Sequence, residues 1–140
     1  MRTKTFLILF LLTGIGLTQL SAQTLQKGNL VALHVLSIKP NPDVTFNQYM
    51  DVFTYKWVPK FEESFPGTKL LVLKGNRGEY EDSIGLLIIF DSIETRDKYW
   101  PKMDETSALG QQCFAKLTPT NQELSKLGTW SSIRTDWLVQ

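Results

Sequence analysis

With one cysteine and one histidine, this chain of 140 residues has little to cross-link or chelate with. Cys113 alone excludes an intrachain disulfide, and Cys113 with His34 falls well short of the four ligands of a structural zinc site. Cys113 therefore reads as a small buried apolar residue. Charge of either sign is not in excess: 15 Lys+Arg face 14 Asp+Glu. Proteins that grip nucleic acid or an anionic membrane need a basic surface, which this balance does not supply. No internal repeat or low-complexity tract occurs. No apolar run reaches the roughly 20 residues of a bilayer-spanning helix.

The first residues read as an export signal. Arg2 and Lys4 form a positive head, Phe6 to Leu12 is unbroken apolar chain, and Gly14 and Gly16 break its extension through Ile15 and Leu17. Ser21-Ala22-Gln23 then offers a small residue before a cut. Charged head, apolar middle and small-residue exit are the parts of a removable signal peptide, here residues 1–22, so the expected location is exported, periplasmic or secreted. Without Arg2 and Lys4 the remainder carries 13 basic and 14 acidic residues, a net charge near −1. Residues 23–140 suffice for one compact domain. Lacking disulfides, that domain is held by its core or by a partner subunit.

Leu30 to Ile38 is apolar, rich in β-branched residues and stopped by Lys39-Pro40-Asn41-Pro42, which predicts a strand. Thr45 is a helix N-cap candidate. After it Phe46, Tyr49, Met50, Phe53, Trp57, Phe61 and Phe65 recur at three- and four-residue steps along one helical face. Pro59 lies inside this pattern and is expected to kink or split the helix. Lys69–Lys74 and Ile84–Phe90 read as strands joined by a long polar loop. Asp91 or Ser92 caps a helix running to Trp100, where Pro101 interrupts. Residues 104–117 look helical, Thr118-Pro119 opens a further helix ending at Gly128, and Thr129–Val139 is a last strand. There Ile133, Trp137 and Val139 share one face, Arg134 and Asp136 the other.

The order β-α-β-β-α-β, with extra helix before the last strand, is the ferredoxin-like split βαβ arrangement: an α+β fold with a four-stranded antiparallel sheet and helices on one face. Its strands are apolar on both sides. In so short a chain, the open face then calls for a second copy packed sheet to sheet, a homodimer.

Three stretches carry a resemblance to a known superfamily. They are His34-Val35-Leu36-Ser37-Ile38-Lys39 through Asp43-Val44-Thr45, Trp57-Val58-Pro59 through Phe65-Pro66-Gly67, and Leu87-Ile88-Ile89-Phe90-Asp91-Ser92-Ile93-Glu94 through Tyr99-Trp100. In these the chain resembles the dimeric α/β-barrel superfamily, which includes antibiotic-biosynthesis-type monooxygenases and stress-responsive α/β-barrel proteins. Residues 102–128 are longer than the family's link to its last strand and lie outside the resemblance.

In some members a histidine on the first strand faces the barrel cavity as base or hydrogen-bond donor, which the resemblance carries to His34. Imidazole exchanges its proton near neutral pH and suits that role. The alternative is a buried histidine bonded to a neighbouring strand, and strand parity is not fixed by sequence. Arg134 is either a fork for a carboxylate or enolate oxygen or the ion-pair partner of Asp136 or Asp91, and Asp91, which closes the third strand, is itself expected among the substrate-binding residues with Trp57, Trp100 and Arg134. Trp57, Trp100, Trp130 and Tyr80 are candidate walls, as is Tyr49, each equally at home in simple packing. Glu79, Glu81 and Asp82 read as a solvated loop. Haem degradation in the superfamily uses a histidine on a later helix, and none follows His34. The expectation is a small apolar or aromatic ligand bound without cofactor, metal, nucleic acid or stable membrane insertion. Monooxygenase- or cyclase-like chemistry is the activity the resemblance implies. The competing expectation is a non-enzymatic binding or assembly module of the cell envelope.

Overall fold

The computed structural model describes residues 25–81 and 83–140. The expected signal segment, residues 1–22, lies outside them, as does Asp82. Strand β1 (Leu30–Pro40) leads through α1 (Phe46–Val52), a π-helical turn (Phe53–Trp57) and α2 (Val58–Ser64) to β2 (Thr68–Lys74). Strand β3 (Ile84–Phe90), helices α3 (Ile93–Tyr99), α4 (Ala108–Lys116) and α5 (Thr118–Leu127), and β4 (Gly128–Leu138) complete the chain. The four strands form one sheet in the order β2-β3-β1-β4, each neighbour antiparallel, which is the ferredoxin-like arrangement.

The helices arise where their capping chemistry sits. Thr45 Oγ1 accepts from the Gln48 N–H while Gln48 Oε1 accepts from the Thr45 N–H, a reciprocal capping box. Ser92, rather than Asp91, caps α3, its Oγ accepting from the Thr95 N–H. Ser107 caps α4, so residues 104–107 are not helical as expected. Asp104 there has φ 62°, outside the helical region. Gly110 lets α4 approach closely, since a Cβ on it would lie 2.5 Å from the Tyr99 carbonyl oxygen. At Gly128 a Cβ would lie 2.5 Å from the Lys39 carbonyl oxygen, which explains why β1 and β4 pair out to Pro40 and Gly128.

The aromatic stripe explains the π turn. Tyr49, Phe53, Trp57, Phe61 and Phe65 repeat every four residues. On an α-helix of 3.6 residues per turn each such step drifts by about 40°, or about 160° over the stripe. One wider turn, in which the Val58 N–H reaches the Phe53 carbonyl, takes up part of that drift just before Pro59. Pro59 then occupies the first turn of α2, where no N–H is needed, so the helix widens instead of breaking. All five rings stay buried against the sheet. Each contributes about 1.5–3 kcal/mol on the usual burial scale.

Strand parity divides the sheet. Leu30, Ala32, Leu36, Leu70, Leu86, Ile88 and Phe90 face the helices and join the core. On the other face Leu71 and Leu73 of β2, with Ile133 and Trp137 of β4, are exposed, the last two by 63% and 62%. Between them Val31 and Ile89 are buried.

Tyr49 is fully buried, and its hydroxyl has no hydrogen-bond partner among the described residues. Burial pushes that phenol up to about 12. An unsatisfied buried hydroxyl costs roughly 1–3 kcal/mol. Tyr49→Phe should therefore raise unfolding free energy by about 1 kcal/mol or more in a urea titration. A clear loss of stability would show that the hydroxyl is bonded after all.

Candidate functional site

Antiparallel pairing sets His34 directly across from Arg134, and Ala32 across from Asp136. All four lie on the helix-facing side of the sheet. There the helices do not close fully on β1 and β4, and a cavity of about 250 Å³ remains. Its floor is Ala32 and His34 of β1, Leu86 and Ile88 of β3, and Ser132 and Arg134 of β4. Its wall is aromatic: Trp57, Phe61, Trp100, Phe114 and Trp130. These rings contact one another, Phe61 tilted against Trp57 at 5.1 Å, Trp100 parallel to Phe61 at 6.3 Å, and Trp130 edge-on to Trp57 at 6.1 Å. Such mutual contact fixes their orientation whether or not the space is filled.

The insert before β4 completes the enclosure. Phe114 of α4, Leu117 at the α4–α5 junction and Asn121 of α5 line the far side. Trp57 Nε1–H donates to Asn121 Oδ1 at 2.8 Å, which locks the indole to the insert. The end of α5 is tied back where β1 exits, the Asn41 side-chain amide donating to the Lys126 carbonyl.

Polar groups gather at one end. Arg96 of α3 donates through Nε to Asp97 at 2.7 Å and through Nη1 to Asp136 at 2.6 Å. Arg134 Nη2 donates to Asp104 Oδ1 at 2.7 Å. The partner of Arg134 is thus neither Asp136 nor Asp91. His34 sits between these charges. Burial pulls its pKa below the ordinary histidine value, the Arg134 cation lowers it further, and the Asp136 carboxylate opposes both. The net lowering favours the uncharged imidazole, the form in which one ring nitrogen can accept a proton.

Of the residues singled out in the sequence, His34, Trp57, Trp100 and Arg134 surround this cavity, as does Trp130. Asp91 does not reach it. Phe90 faces the cavity, and the two-residue period of a strand turns the next side chain away. Asp91 instead closes the strand ends: its N–H donates to the Gly67 carbonyl and its own carbonyl accepts from the Asn29 amide. Tyr80 is exposed in the β2–β3 loop, and Tyr49 packs on Phe53 away from the cavity. Arg96, Asp104, Phe114 and Asn121 join the site without having stood out in the sequence. Arg96 carries a usable signal, since it stands four residues before Trp100 on one helical face. Asn121 and Phe114 carry none.

No protein-family model and no curated protein sequence matches the chain. Among solved structures it is similar to SnoaB, a cofactor-independent oxygenase from Streptomyces nogalater, at 13% identity and a TM-score of 0.46, over 81% of this chain and 94% of that one. It is also similar to a dimeric protein of unknown function and ferredoxin-like fold from Bacteroides fragilis, at 14% identity and a TM-score of 0.41, over 80% and 97% of the two chains.

Proposed function

We propose that this protein is an exported, homodimeric α/β-barrel protein. Its cavity binds a small, largely apolar aromatic compound, and His34 acts there as a general base in cofactor-independent oxygenase or cyclase chemistry. The observation that carries the reading is the chain's one imidazole lining an aromatic-walled space directly across the sheet from a guanidinium. At about 250 Å³ the space is below the roughly 300–1,000 Å³ of drug-sized sites, so its occupant is small. A barrel packed solid with side chains would have favoured an assembly module instead.

The chemistry follows from the geometry. A neutral His34 takes a proton from a phenolic or activated C–H group of the bound compound. The anion formed sits beside Arg134, whose charge stabilises it in a partly desolvated place. An electron-rich aromatic anion of this kind passes electrons to dioxygen, or closes on a neighbouring carbonyl, without a bound cofactor.

Oxygen uptake by the mature protein with a panel of anthrone-like and quinol-like compounds tests this. Uptake is expected, and His34→Ala should lower its rate by about 10²–10⁴. An inert wild type across the panel, or an unaffected variant, would remove the catalytic role.

The dimer is supported by the exposed apolar face of the sheet, and export by the leader. Expressed with its own leader, the protein should be recovered outside the cytoplasm beginning at Gln23. Light scattering at micromolar concentration should give twice the chain mass, and I133E/W137E should halve it. Retention in the cytoplasm would contradict export, and a wild-type monomer would contradict the dimer.

A further inference from the structure

The cavity is charged at one end only, and the arrangement of that charge is uneven. Three cations line it, Arg96, Lys102 and Arg134, against two carboxylates, Asp104 and Asp136. Arg96 is fully engaged: it is four-fifths buried and holds Asp97 and Asp136 together. Its role is to fix Asp136 and the α3 end against β4. Arg134 is engaged differently. It makes one contact through one nitrogen, to a carboxylate that is itself 68% exposed. Pairs this exposed are worth at most about 1 kcal/mol, so the guanidinium fork is readily given up to a better partner.

Asp104 stands in the short segment between α3 and α4 with φ 62°, a left-handed conformation uncommon for a residue with a side chain. That conformation brings its carboxylate over the cavity mouth, where the adjacent Lys102 and Met103 also line the opening. The carboxylate of Asp104 occupies the position on Arg134 that a ligand carboxylate would take.

On the reading that this cavity binds a small aromatic compound, we propose that its ligand is an aromatic monocarboxylate. The rings lie between Trp57, Phe61, Trp100 and Phe114, and the carboxylate displaces Asp104 from Arg134, next to His34. Asp104 is a built-in competitor, and the α3–α4 segment moves with it when the ligand enters. Asp136 remains held by Arg96 and does not compete.

Binding of naphthoate and of its neutral amide to the dimeric mature protein, followed by quenching of the cavity tryptophans, tests the proposal. The acid is expected to bind roughly tenfold or more tightly than the amide, as one charge-assisted fork is worth at that scale. Arg134→Gln should erase that preference while leaving amide binding in place, which also shows that the variant is folded. Asp104→Asn should tighten acid binding several-fold and leave the amide unchanged. Equal binding of acid and amide, or a preference that survives Arg134→Gln, would overturn the carboxylate assignment while the aromatic cavity stood. Failure of both compounds to bind would overturn the assignment and the cavity reading together.

Discussion

Burial of β1 on both of its faces is the constraint to which the rest of this fold responds. Leu30, Ala32 and Leu36 point one way, Val31, Leu33 and Val35 the other, and neither set can be left in water cheaply. One face is met by the aromatic stripe of the first helix. The other is met within the chain only in part, since Leu71, Leu73, Ile133 and Trp137 stay exposed around it. The same parity that buries Leu36 among rings also sends His34 inward, so the one titratable group of β1's apolar stretch is desolvated as a by-product of packing.

The aromatic stripe covers the β1–β3 side more completely than the β1–β4 side. Its rings are rigid and stacked, and they cannot spread to fill the remaining width of the sheet. The insert from Ala108 to Leu127 spans that gap without filling it, because Asn121 engages Trp57 and holds α5 at the distance of a hydrogen bond. A cavity is left where packing stops, bounded by aromatic edges on one side and by ion pairs on the other. Arg96 and Arg134 then have different duties: the first closes the α3–β4 seam, the second faces the space.

Element type and order are legible in the sequence because they rest on local signals: strand alternation and three- and four-residue helical steps, Thr45 and Ser92 as caps, Pro40 and Pro101 as stops. The π turn is not, because it depends on the mismatch between a strict four-residue repeat and an α-helical turn, which only becomes visible against a flat sheet. His34, Trp57, Trp100 and Arg134 can be named from residue type and from a family resemblance. Their meeting cannot be, since it depends on the β1–β4 register, and that register is anchored at Gly128 by the close approach of Lys39. Asp91 falls outside the cavity for a related reason, a one-residue step past the strand. The partners of Arg134 and Asp136 come from the α3–α4 segment and α3, whose positions relative to β4 no sequence separation encodes.

That the chain's single histidine stands uncharged at a cavity able to take an aromatic compound is tested most directly by proton NMR of that one imidazole. In the free protein its titration midpoint should fall below the ordinary value of about 6.5, because burial and Arg134 both disfavour the charged ring. Addition of a small neutral naphthol should shift the ring resonances in proportion to occupancy, as an aromatic body settles beside the imidazole. A midpoint at or above the ordinary value, with resonances indifferent to every aromatic compound added, would contradict the account.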